Sequence, residues 1–237
     1  MEAVETAREL VHQRYPEARA AWLGGSIARG TATSTSDLDI TVLLAGPPAP
    51  LRESLRHAGW PVELFVHTEQ SLAHYSEKDR LRRQPSMMRL VGETIALIDT
   101  DGSGARLQES CRAQILAGPP PLSPHDLAML RYKVTDLLDD LIGADSNDVR
   151  TAVASVLWQE AATLLLTGAD HWTGTGKGLL RELQSYDATH GTDYATTLPA
   201  AVRSAVNGDP AAMIAVVDAV LTPYGGRLFA GFHLSGD

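Results

Sequence analysis

At 237 residues, 44% hydrophobic and 21% charged, the chain can bury a sizeable core in one large domain or two small ones and is too apolar for intrinsic disorder. No apolar run approaches the roughly 20 residues of a membrane span. The single cysteine, Cys111, excludes an internal disulfide, so a reducing cytoplasm with no membrane partner is the expected setting. A formal charge of −9 argues against a broad nucleic-acid surface, which needs a basic stripe; it fits a cationic partner or simply a well-solvated surface.

Residues 2–15 read as an acidic amphipathic helix, without the basic start and apolar middle of a signal peptide. Ala18 to Leu23 is a short apolar strand ending at Gly24-Gly25. Leu38 to Leu44 is β-branched and apolar and reads as a second strand. After the break at Gly46-Pro-Pro-Ala-Pro50, Leu51 to Ala58 is predicted as a helix and Val62 to Val66 as a strand. Thr68 then caps a polar helix running to about Arg83. A strand at Thr94 to Ile98 and a helix at Ser103 to Leu116 follow, with Cys111 as a small buried apolar residue.

Pro119 to Pro121 favour an extended path. The expected division is therefore a first domain over 1–117, a proline-rich linker over 118–124 and a second domain over 125–237. Beyond the linker strands nearly vanish. Ser123-Pro124 and Asp209-Pro210 are helix starts, and helices are predicted near 124–142, 147–167, 176–187, 195–206 and 210–221. The fold class is thus α+β, a mixed β-sheet flanked by helices followed by an all-α bundle.

The stretch from Leu23 to Thr41 carries the chemistry. Asp37 and Asp39 are two apart, so along a strand they project from one face while Leu38 and Ile40 enter the core. Paired carboxylates repel unless a divalent cation lies between them, and magnesium prefers such oxygen ligands. Gly24 and Gly25 remove side chains where the strand turns, so that backbone N–H groups approach a phosphate beside the Ser26 hydroxyl. Arg29, one turn on, has two readings: neutralising phosphate charge, or pairing with Asp37 or another loop carboxylate. Glu63 alternates with Val62, Leu64 and Val66, which places it on the face opposite those apolar residues. A lone strand glutamate is usually solvated; one in the strand after an aspartate pair reads as a metal ligand, a base, or both.

Gly25-Ser26, Asp37, Asp39 and Glu63 together match in order and spacing the signature of the DNA polymerase beta-like nucleotidyltransferase superfamily, which this chain resembles. It is similar to two-domain bacterial members of the kanamycin nucleotidyltransferase type, in which a helical domain follows the catalytic one. The resemblance implies two magnesium ions, a nucleoside triphosphate donor such as ATP, and in-line attack of a hydroxyl on the α-phosphate with release of pyrophosphate. It further implies that Asp37 and Asp39 bridge the metals, that Glu63 holds the ion that activates the acceptor, and that Gly25, Ser26, Arg29 and Ser36 contact the nucleotide. A homodimer is compatible with it.

In the second domain Lys177, beside three glycines at a helix start, is the candidate for the triphosphate-binding lysine of similar proteins; its other reading is a solvated loop lysine. The segment lacks the spacing of a P-loop. Glu160 is a candidate base by the same resemblance, at a different spacing. Asp136, with Asp139 or Asp140 on its face, reads as a polyamine-like acceptor site or as a solvated acidic face. Trp158 and Trp172 either stack on a base or sugar or pack the core. Tyr224-Gly-Gly-Arg227 is a helix stop or part of a cleft, and His67 is the one histidine near the expected site. The reaction expected is AMP transfer to a small hydroxylated, cationic acceptor, an aminoglycoside-like antibiotic (hence a resistance function) being one candidate. The alternatives are nucleotidylation of a protein or tRNA, as in toxin–antitoxin pairs, and a non-catalytic nucleotide-binding regulator.

Overall fold

The structure is a computed structural model that describes residues 2–233. The chain divides into two units, Met1–Gly118 and Pro119–Asp237, and its class is α+β. Among the described residues no helix is long and apolar enough to cross a membrane.

The first unit opens with α1 (Glu2–Arg14), whose Ala7, Leu10 and Val11 form the buried stripe. Five strands follow: β1 (Ala20–Leu23), β2 (Leu38–Leu43), β3 (Leu51–His57), β4 (Trp60–His67) and β5 (Ile95–Asp99). They form one sheet in the order β3-β4-β2-β1-β5. The β2–β4 pair is parallel and every other pair is antiparallel, so the sheet is mixed. One face presents Leu38, Ile40, Val42, Val62, Leu64 and Val66, which pack with the α1 stripe into a single core. The two periods, 2 in the strands and 3.6 in the helix, meet along that seam.

The opposite face carries Asp39 and Thr41 of β2 and Glu63, Phe65 and His67 of β4. It is covered beyond the carboxylates by α3 (Glu69–Leu81) and α4 (Ser86–Gly92); Thr41 Oγ1 donates to Leu90 O at 3.0 Å. Thr68 caps α3 through a capping box with Ser71. The short α4, absent from the sequence reading, is anchored by Asp79, a residue that the polar α3 sequence makes look solvated. Asp79 is 2% exposed, accepts from the Met87 backbone N–H and pairs with Arg82. Met87, Met88 and Val91 supply the buried side of α4. The last helix of the unit is α5 (Ser103–Ala117), where burial pushes the Cys111 thiol up to about 11.

Residues 51–58 are a correction to the sequence reading. Leucine, arginine and glutamate favour helices, yet Leu51–His57 is a strand with strictly alternating exposure. It pairs with β4 through the two-residue turn Ala58-Gly59, whose φ angles of 47° and 86° match the positive-φ hairpin turn suited to twisted strands. Cross-strand pairing overrides propensity here.

The second unit holds α6 (Pro124–Gly143), α7 (Asn147–Gly168), α8 (Lys177–His190), α9 (Tyr194–Val206) and α10 (Ala211–Leu221). Ser123 caps α6 by accepting from Asp126 N–H. Leucines and alanines of α6 and α7, with Leu179, Leu183, Leu198, Val217 and Val220, build a separate core.

Two outcomes follow for the first unit. Removing the cap with Thr68→Ala costs about 1 kcal/mol and speeds hydrogen exchange of the α3 amides in the full chain roughly fivefold. Burial holds the His67 imidazole below its ordinary pKa. The unfolded chain therefore binds the proton more readily, and stability is fully present above about pH 6.5 and is lost as the pH falls through that value toward the folded pKa. Urea titrations should show the midpoint dropping across this window, with a smaller drop in His67→Gln.

Candidate nucleotidyl-transfer site

The carboxylate cluster is assembled by strand register. Asp39 sits opposite Glu63 in the parallel β2–β4 pair, and Asp37 lies just before β2. One carboxylate oxygen from each of the three comes within 4.8 Å of the others, and all three residues are partly buried. At an effective dielectric near 20, two charges about 4 Å apart repel by about 4 kcal/mol, so the bare cluster is costly and a divalent cation reverses the sign. Three hard oxygens at this separation fit magnesium, which retains further positions for water and phosphate oxygens.

The loop after β1 is shaped around the same carboxylates. Gly24 N–H donates to Asp39 O at 2.8 Å. Gly25, the first residue of α2 (Gly25–Ala28), has φ +68°, and a Cβ there would overlap Asp39 Oδ2 and lie 2.9 Å from its Cγ. Glycine is thus required twice, by backbone conformation and by space. Ser26 Oγ donates to Ser36 Oγ at 2.8 Å, and Ser36 Oγ accepts from Thr33 N–H at 2.9 Å. The two serines, ten residues apart in the sequence, are therefore bonded partners that hold the loop against the start of β2. Arg29 is the exposed C-cap of α2.

The sequence reading missed Arg52. Its Nη2 donates to Glu63 Oε2 at 2.8 Å, and its guanidinium lies 5.0 Å from the Phe65 ring centroid. Ser54 and Arg52 of β3 stand opposite Glu63 and Phe65, so the pair is diagonal across the two strands. The alternation from Leu51 to Leu55 and the Ala58-Gly59 turn were the signals that would have placed Arg52 on the carboxylate face. His67 shares that face but stands four residues beyond Glu63, about 13 Å along the strand. It is buried, with Nδ1 3.1 Å from Ser71 Oγ.

The candidates of the second unit are placed as follows. Lys177 is the exposed first residue of α8. Glu160 on α7 pairs with Lys133 on α6 at 2.7 Å. Asp136 is exposed on α6, while Asp139 meets Arg227, which also pairs with Asp218. Trp158 packs partly buried against the helical core, and Trp172 is buried. Tyr224 ends a short 3-10 turn; its hydroxyl donates to Leu165 O at 3.0 Å, and burial pushes its pKa up to about 12. With Gly225 and Gly226 at positive φ and Gly226 O accepting from Arg131, Tyr224-Gly-Gly-Arg227 is a helix stop.

Residues 4–85, which span β1 to α3 and all three carboxylates, match the model of the nucleotidyltransferase domain family. The chain is similar to the crystal structure of a nucleotidyltransferase-like protein from Exiguobacterium sibiricum, at 12% identity over 93% of this chain and 74% of that chain, with a TM-score of 0.44. No curated protein matches the chain significantly. The family match thus covers about a third of the chain, the segment that carries Asp37, Asp39 and Glu63.

Proposed function

We propose that this protein transfers AMP from ATP to a hydroxyl of a small molecule and releases pyrophosphate, with magnesium held by Asp37, Asp39 and Glu63. The observation that carries the proposal is the convergence of three carboxylate oxygens within 4.8 Å beside a glycine whose missing Cβ leaves room for Asp39. Nucleotidyltransferases of this family use a nucleoside triphosphate and a divalent cation, and the oxygen-only donor set suits magnesium. When bound, two such ions neutralise phosphate charge and make the attacking hydroxyl more acidic.

The chain's own residues bind and orient. Gly25 and Ser26 receive the triphosphate at the loop after β1, with Arg29 offsetting its charge. Ser36 fixes that loop through Ser26. The acceptor oxygen bonds to the α-phosphorus as the bond to the bridging oxygen of the β-phosphate breaks, and the hydroxyl proton passes to the Glu63 carboxylate as pyrophosphate departs. Positioning and charge compensation supply most of the acceleration in such a site.

The acceptor's charge needs a finer count than the whole-chain value. Residues 1–118 contain 13 Lys and Arg against 15 Asp and Glu, whereas residues 119–237 contain 7 against 14. The acid excess thus belongs to the helical unit. The first unit is near balance, and one of its cations, Arg52, pairs with Glu63 of the cluster itself. An aminoglycoside therefore loses the charge argument at the carboxylates, and the proposal keeps only a small hydroxylated acceptor.

Pyrophosphate release with magnesium, each of the four nucleoside triphosphates and a panel of polyols is the test. Asp37→Asn and Asp39→Asn should each lower acceptor-dependent release on the order of 10²–10³-fold. Gly25→Ala should do the same through the displaced Asp39 carboxylate, with circular dichroism unchanged. Release that survives in both Asn variants rules out this site.

A further inference from the structure

The carboxylate face does not end at Glu63. It continues along β4 and β3 into a cavity of about 470 Å³, the size of a small-molecule site. Arg52 and Phe65, cross-strand partners, form its floor with His67, and Tyr75, Arg82 and Met87 stand around it. The lining combines two chemistries. Phe65, Met87 and Tyr75 (39% exposed) offer apolar and aromatic surface suited to a ring. Arg52 and Arg82 have side chains 63% and 56% exposed, and each pairs with a carboxylate of its own, Glu63 and Asp79, through Nη2. A guanidinium carries five N–H donors, so such a pair retains donors for an anion, and planar forked donors favour phosphate or carboxylate.

The direction of the reaction points to the same cavity. In-line displacement requires the attacking oxygen and the leaving pyrophosphate on opposite sides of the α-phosphate. The phosphate-binding loop follows β1, the aspartates stand on β2, and Glu63 stands on β4, in a sheet ordered β3-β4-β2-β1-β5. A triphosphate on the Gly25-Ser26 loop with its α-phosphate at Asp37 and Asp39 therefore exposes its far side to β4 and β3.

We propose that this cavity holds the acceptor, and that the acceptor is a ring-containing molecule carrying a phosphate or carboxylate group recognised by Arg52 and Arg82. The inference rests on the nucleotidyltransferase reading and deepens it by naming the acceptor class. Arg52 is the specificity residue: it touches Glu63 and borders the cavity, so the group that selects the acceptor also lies against the carboxylate where its hydroxyl must arrive.

The test is calorimetric binding to the full chain without metal. Ribose 5-phosphate and 4-hydroxybenzoate serve as anionic probes, ribose as the neutral one and kanamycin as the cationic one, with a non-hydrolysable ATP analogue and magnesium measured separately. The anionic probes should bind at least about tenfold more tightly than ribose or kanamycin, and Arg52→Gln should weaken them by about tenfold, as loss of a charged hydrogen bond does. Tyr75→Ala, at an exposed position, should weaken them without disturbing the fold. Ser26→Ala should leave the probes unaffected, which separates this cavity from the phosphate-binding loop. The ATP analogue should bind Arg52→Gln within about twofold of its wild-type affinity. Kanamycin binding as tightly as the anions, or anion binding indifferent to both Arg52→Gln and Tyr75→Ala while the analogue still binds, overturns the acceptor assignment alone. Failure of the analogue to bind the wild-type chain overturns the nucleotidyltransferase reading, and the acceptor assignment with it.

Discussion

Three carboxylates held within 4.8 Å on one face of a sheet repel one another by several kcal/mol, and much of the first unit is arranged to hold them there. A fold free to relax would separate the charges. This one fixes two of them on neighbouring parallel strands in direct register, Asp39 against Glu63, and locks the strands from behind with a fully apolar seam against α1. The burial of Leu38, Ile40, Leu64 and Val62 on one face is thus the counterpart of the exposure of the acids on the other, because adjacent strand residues point to opposite faces.

The parallel pairing of β2 and β4 depends on β3. A parallel neighbour needs a crossover, and here β3 runs back along the sheet edge and returns through a two-residue turn. The hairpin brings Arg52 onto the carboxylate face, where it meets Glu63. Gly25 completes the arrangement from the other side. Its positive φ and missing Cβ let the loop after β1 close over Asp39, so the Gly25-Ser26 loop and the three acids share one wall. The repulsion within the cluster is the same property that would draw a divalent cation to it.

Much of this was legible from residue spacing. The two-residue interval between Asp37 and Asp39, and the alternation around Glu63, follow from strand periodicity alone, and the glycine pair marks the turn. What was not legible depended on partners distant in the chain. Leu51–His57 is composed of good helix formers, and only its pairing with β4 makes it a strand, so Arg52 was invisible as a site residue. The helix at Ser86–Gly92 is too short to show a period; it exists because Asp79, buried in an otherwise polar helix, receives Met87 N–H. The Ser26–Ser36 bond likewise needs a loop closure that no periodicity encodes. In the helical unit the periodic helices were plain, whereas the partners of Glu160 and Asp139 came only from packing.

The central claim is that Asp37, Asp39 and Glu63 act together as a cation site. Electron paramagnetic resonance titration of Mn²⁺ into the full chain, wild type against Glu63→Gln, tests it most directly, because it reads the metal itself. The account predicts saturable binding that tightens when a nucleoside triphosphate is added and weakens at least about tenfold in Glu63→Gln, as loss of one ligand in a three-carboxylate site requires. Mn²⁺ binding that is unaffected by the substitution, or no binding with triphosphate present, would contradict it.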